Sequence, residues 1–166
     1  MRPSLAFLLL LPVLACHQTP ARDLIAEKAA ITQTIHHSIS WALTKDKNRL
    51  LNSVAHDSSF FIYHPTTTST IIGYPAFENL VEKFFMRDEF RATGYKIKNL
   101  RVTLSHTADV AWFSALLDDF GTWKDQPTDW VNCRWTGVLE KRQGKWIIVQ
   151  MHFSFGTDQT TAAKPD

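Results

Sequence analysis

The spacing of apolar positions changes character along this chain, and each change marks an element. From Asp23, the residues Leu24, Ile31, Ile35, Ile39 and Ala42 recur at the interval of a helix with one apolar stripe. Asp23 suits the N-cap position of that helix. Asp46–Val54 predicts a second, shorter helix with Leu50, Leu51 and Val54 on its apolar side. The aromatic run Ser59-Phe60-Phe61-Ile62-Tyr63-His64, ended by Pro65, predicts a strand, and Thr66 to Thr70 a polar loop. Gly73-Tyr74-Pro75 opens a third helix, because proline fits a first helical turn; its stripe is Phe77, Leu80, Val81 and Phe84.

The second half alternates with period two. Tyr95 and Ile97 alternate with lysines, then Leu100, Val102 and Leu104 continue in the opposite phase. A phase switch near Asn99 predicts a bulge and a bent strand. Val110–Leu117 is apolar but for Ser114, which predicts burial on both faces. Phe120–Thr128 reads as a polar loop, Trp130–Glu140 and Lys145–Phe155 as strands, and Gln143-Gly144 as the tight turn between them. Thr157–Asp166 is a polar tail. Helices followed by a long run of strands predict an α+β fold: a cone-shaped barrel of strongly bent antiparallel sheet around three N-terminal helices, with an internal pocket.

Before Asp23 the pattern is different. Arg2 precedes an apolar run from Leu5 to Leu14, interrupted only by Pro12. Such a run is too short to span a bilayer, which needs ~20 residues, and fits an export signal over residues 1–15. Its end, Val13-Leu14-Ala15-Cys16, resembles the bacterial lipobox, in which the cysteine is lipidated and becomes the new N-terminus. The resemblance implies a lipid anchor on Cys16, a tether over 16–22, and a cell-envelope location. His17, rather than Asp, follows the cysteine, which implies the periplasmic side of the outer membrane in a Gram-negative cell. The alternative is an ordinary signal cut near Ala15.

Composition narrows the functional classes. The chain is 45% hydrophobic and 20% charged, with a formal net charge of +2, so nothing electrostatic points to nucleic acid. Six Trp and eleven Phe are compatible with a lined cavity. With Cys16 lipidated, Cys133 has no disulfide partner. There is no HExxH, no CxxC pair and no glycine-rich phosphate loop, and the adjacent His36-His37 on a helix point in two directions; no metal or cofactor is expected.

The C-terminal segment Trp135-Thr136-Gly137-Val138-Leu139-Glu140-Lys141-Arg142-Gln143-Gly144-Lys145-Trp146-Ile147-Ile148-Val149-Gln150-Met151-His152-Phe153-Ser154 resembles the end of the SnoaL-like, nuclear transport factor 2-like superfamily. Lys45-Asp46, Gly73 with Phe77, and Ala111-Trp112 extend the resemblance over residues 23–156. It implies a ketosteroid isomerase-like fold, a small-ligand pocket and a tendency to dimerise. It does not fix the function, since the superfamily holds enzymes, ligand binders and assembly modules.

Hairpin register selects candidate pocket residues. With Gln143-Gly144 as the turn, Arg142 pairs with Lys145 and Trp135 falls opposite His152, Gly137 opposite Gln150 and Cys133 opposite Ser154. In the family the face holding His152 turns to the pocket. The neighbouring strand then adds either Trp112, Ser114, Leu116 and Asp118 or the alternate set; the first is preferred for its polar groups. The expected ligand-binding residues are Tyr63, Trp112, Ser114, Leu116, Asp118, Trp135, Gln150 and His152. The bland alternatives are a structural His152, a core role for the tryptophans, packing for Tyr63, and a solvated rim for Asp118 with Asp119. His64-Pro65 stands where the isomerase branch has Asp-Pro, so that mechanism does not transfer. The expectation is a pocket for a small apolar or aromatic ligand. The alternatives are a cyclase-, isomerase- or dehydratase-type enzyme using His152, Asp118 or His64 as acid or base, and a dimeric assembly module with Val149, Met151 and Phe153 as its patch.

Overall fold

The computed structural model describes residues 23–66 and 70–156; the expected export signal, the expected lipidation site Cys16 with its tether, and the tail from Thr157 lie outside the described residues. Helix α1 (Leu24–Ser40) starts where Asp23 accepts the N–H groups of Ile25 and Ala26, and Ile31 and Ile35 are its fully buried positions. A tighter helical turn, Trp41–Leu43, follows and changes the phase, so that Trp41 points inward although it lies off the α1 stripe. Helix α2 is short (Lys47–Leu51), capped by Asp46, and ends before the expected Val54. Strands β1 (Phe61–Tyr63) and β2 (Ile71–Ile72) precede α3 (Tyr74–Leu80), which runs into a π-helical turn at Val81–Phe85. No helix among the described residues is long and apolar enough to cross a membrane.

The long strands are β3 (Phe90–Leu104), β4 (Val110–Trp123), β6 (Trp130–Arg142) and β7 (Lys145–Ser154); β5 (Gln126–Pro127) is a short partner of β4. The sheet order is β2-β1-β7-β6-β4-β3. All pairings are antiparallel except β1 on β7. The α+β expectation holds: a strongly curled half-barrel sheet packs its inner face against the helices. Glu27 ties α1 to the β6–β7 hairpin, accepting from the indole N–H of Trp146 at 2.7 Å and pairing with Lys141.

Bulges curl the sheet and set its faces. One lies between Lys98 and Arg101, with Asn99 at φ 54°, where the phase switch predicted it. A second lies in β6, where Asn132 adopts φ 55°. A third follows the β6–β7 turn. That turn is Gln143-Gly144, with φ 50° and 82°, the geometry that matches strand twist. Pairing runs in the expected register only as far as Leu139 with Ile148; then Val138 pairs with Gln150, and Val149 is the extra residue. Beyond it every expected pair is displaced: Trp135 faces Phe153, and His152 faces Thr136.

Two expectations about β4 also need correction. Val110–Leu117 is not buried on both faces: Ala111, Phe113, Ala115 and Leu117 are buried, whereas Trp112 and Ser114 are exposed. The polar loop expected at Phe120–Thr128 is a continuation of β4 to Trp123 and a turn at Lys124-Asp125 into β5.

Candidate functional site

The inner face of the sheet, α1 and α3 line a half-open cavity of about 640 Å³. The turn after α1 supplies Trp41 and Ala42, the α3 region supplies Phe77, Leu80, Phe84 and Phe85, and β1 supplies Ile62. Strands β3 and β4 contribute Phe90, Leu117, Asp119, Phe120 and Trp123; β6 and β7 contribute Trp130, Met151 and Phe153. Phe84 stacks on Trp123 with centroids 4.4 Å apart, and Phe85 meets Trp41 edge-on at 5.5 Å. The wall is therefore a set of interlocked rings, which fixes its shape at small entropic cost.

Two titratable side chains face this apolar space. His64, at the end of β1, lies among the rings of Trp130 and Phe153, at 5.9 and 5.7 Å. Burial lowers its pKa, so the imidazole is neutral at pH 7. Asp119 sits beside the β6 bulge, paired across the sheet with Tyr95 and Trp130. Burial, reinforced by the negative charge of Asp129, pushes its carboxyl up to about 6. Neither side chain has a hydrogen-bond or ion partner among the described residues, and the only charge acting on Asp119 is Asp129. With Ser38, Thr70 and Thr128 they are the polar points of a mostly apolar wall, a usual composition for a small-molecule site.

None of the eight expected ligand-binding residues lines the cavity; of the acid–base candidates His152, Asp118 and His64, His64 alone does. Trp112, Ser114, Leu116, Gln150, His152 and Tyr63 form rows across the outer face, as their pairings require: Trp112 with Val138 and Gln150, Ser114 with Thr136 and His152, and His152 with Tyr63. For Gln150 and His152 the cause is the extra residue Val149, which reverses the faces of everything beyond it in β7; on β4 the inward set is the alternate one, Phe113, Ala115 and Leu117. Trp135 faces inward but is core, stacked on Phe153 and edge-on to Phe113. Asp118 is on the outer face, bound by Lys98 at 2.6 Å and by the backbone N–H of Asn132 at 2.8 Å. That N–H and Lys98 hold its carboxyl below the usual range, the opposite of the raised value expected of a buried acid. Val149, Met151 and Phe153 are buried inward and cannot form an outer patch. No cluster of His, Cys, Asp and Glu able to hold a metal occurs among the described residues.

The sequence reading placed Asp119 at a solvated rim and Phe153 in an outer patch, and gave Trp123 and Trp130 no part in the pocket. Asn132 was the available signal, because asparagine tolerates the left-handed backbone of a bulge better than other side-chain-bearing residues. A bulge there keeps Asp119 and Trp130 paired on the inner face.

A curled half-barrel sheet closed by helices over one apolar cavity defines the class of small pocket-bearing α+β domains. The chain belongs to the SnoaL-like domain family, which matches residues 31–158. Among solved structures it is similar to a nuclear transport factor 2-like (NTF2-like) protein from Cytophaga hutchinsonii, with 12% identity, 76% of this chain and 96% of that one covered, and a TM-score of 0.62. It is also similar to the association domain of CaMKII from C. elegans, with 17% identity, 79% and 97% coverage and a TM-score of 0.60. A type 2 hexachlorocyclohexane dehydrochlorinase is similar at 18% identity, with 79% and 86% coverage and a TM-score of 0.64. At these identities the likeness concerns the fold. No curated protein matches the chain in sequence.

Proposed function

We propose that the cavity binds a small apolar or aromatic molecule. The observation that carries this reading is a cavity of about 640 Å³ lined mostly by Phe, Trp and aliphatic side chains, with His64 and Asp119 as its titratable groups. Native mass spectrometry of the protein purified from its own host tests it. A retained small molecule is the expected result. A clean apo mass, together with tryptophan fluorescence that apolar aromatic probes do not change, would count against it.

A second reading is a proton-transfer enzyme of isomerase, cyclase or dehydratase type. It is favoured by the two unpartnered groups, because a neutral imidazole accepts a proton and a carboxyl poised near 6 exchanges one at neutral pH. A dehydrochlorinase among the solved structures of this fold adds support. Exchange of the α-protons of cyclic ketones in D₂O, followed by NMR, tests it. His64→Ala and Asp119→Asn should each slow the exchange by about 10²-fold or more; exchange no faster than in buffer would reject the reading.

The envelope setting is also a proposal, supported by the Val13–Cys16 motif and the apolar run before it. Labelling with radioactive palmitate should mark the wild-type protein and leave Cys16→Ser unlabelled. Finally, a homodimer through the outer sheet face is supported by Trp112 and Tyr63, which are 49% and 50% exposed there. The likeness to a kinase association domain points the same way.

A further inference from the structure

We infer that the ligand of the cavity is a hydrophobic organic cation, an amine or quaternary ammonium whose apolar body lies against the aromatic wall and whose charge meets the carboxylate of Asp119. This inference rests on the reading of the cavity as a binding site. Its first ground is the absence of any Lys or Arg among the described residues that line the space, while nine Phe and Trp side chains do line it. Ring faces present negative potential, so a desolvated cation is attracted to such a wall and an anion is not. The second ground is that Asp119 has no counter-ion among the described residues. A buried carboxylate is costly unless paired, and these residues supply no pair.

The surrounding charged and titratable groups agree. Lys98, on the adjacent strand, points to the opposite face and is held by Asp118 and Asn132. Arg87 and Lys124 lie over the Trp123 ring at 5.4 and 5.9 Å; Arg87 is bound to Glu89, and Lys124 acts on the same carboxylate. Asp129 adds negative charge to Asp119. Cys133 is a buried thiol pushed up to about 11, and His64 is held neutral by burial. Tyr95, paired with Asp119 across the sheet, has its hydroxyl 3.3 Å from the His36 ring. An incoming cation therefore finds one free carboxylate, aromatic faces and no positive charge among the lining residues.

Three probes of one shape test this: 2-naphthylmethylamine, 2-naphthylmethanol and 2-naphthoate, titrated into the full-length protein with tryptophan fluorescence or calorimetry as the readout. At pH 7.5 the amine should bind about tenfold or more tightly than the alcohol, corresponding to about 1.4 kcal/mol, and the carboxylate should bind most weakly. Asp119→Asn should abolish the preference for the amine and retain binding of the alcohol. In the wild type, acidification to pH 5 should weaken the amine, as Asp119 protonates, and leave the alcohol unchanged. Alcohol binding equal to or tighter than amine binding, or an amine preference that survives in Asp119→Asn, would overturn the inference and leave the pocket reading standing. Failure of all three probes would overturn both.

Discussion

The indole N–H of Trp135 is fully buried and has no acceptor, the one such side-chain atom among the described residues. An unsatisfied buried donor costs about 1–3 kcal/mol, whereas the ring around it earns stability through contacts with Phe113 and Phe153. Trp135→Phe removes the donor and keeps most of the ring. It should change unfolding free energy in urea by less than about 1.5 kcal/mol, against about 3–5 kcal/mol lost in Trp135→Ala. Asp119 is the second residue with a cost built in. Its folded pKa, about 6, lies above the ordinary value of 3.8. The native state therefore holds the proton more tightly than the unfolded chain, and stability falls as pH rises from about 4 through about 6. Asp119→Asn should remove this fall and be more stable than wild type at pH 7.5, by at most about 3 kcal/mol. Parallel urea titrations at pH 4 and 7.5 would show it. A constant difference between the two proteins at both pH values would contradict the assignment. His64 has the opposite sign: its lowered pKa withdraws stability as pH falls below about 6.5.

At the scale of elements, short-range chemistry was legible and register was not. Asp23 as a helix cap, Pro75 in a first turn, the bulge at Asn99 and the Gln143-Gly144 turn could each be read from a few adjacent residues. The face that lines the cavity could not, because it depends on a single extra residue, Val149, whose insertion leaves no local mark. Val138 and Val149 pair well in either register, so propensity is indifferent to the shift. Tertiary contacts decide it: Ile148 bonds both ways with the segment after α2, donating to Ser53 and accepting from Ala55. The same turn offers a prediction. Gln143 holds φ 50°, a conformation costly for a long side chain and easy for asparagine. Gln143→Asn should raise the unfolding free energy by about 0.5–1 kcal/mol, with no change in the denaturant slope. On α1, Glu27 makes the reverse case. Replacing it with Ala strands the Trp146 indole N–H and Lys141 together, and should cost about 2–4 kcal/mol in the same measurement.

Across the whole molecule the sheet separates two chemistries. Its inner face carries the cavity, and its outer face carries Trp112, Tyr63, Arg101, Thr136 and His152 in rows fixed by strand pairing. The separation makes ligand binding and assembly independently testable, because alternate residues of one strand serve opposite faces: Trp112 and Ser114 outward, Phe113 and Leu117 inward. A dimer formed through the outer face is isologous, so Trp112 of each copy lies in the same patch and a charge placed there enters the interface twice. Trp112→Asp should therefore shift sedimentation velocity from dimer to monomer. Because Trp112 does not line the cavity, the variant should keep wild-type affinity for aromatic probes. Dimerisation unaffected by this substitution would move the interface to another surface. Loss of probe binding in a folded monomer would show instead that the curl of the sheet, and with it the cavity, depends on the partner copy.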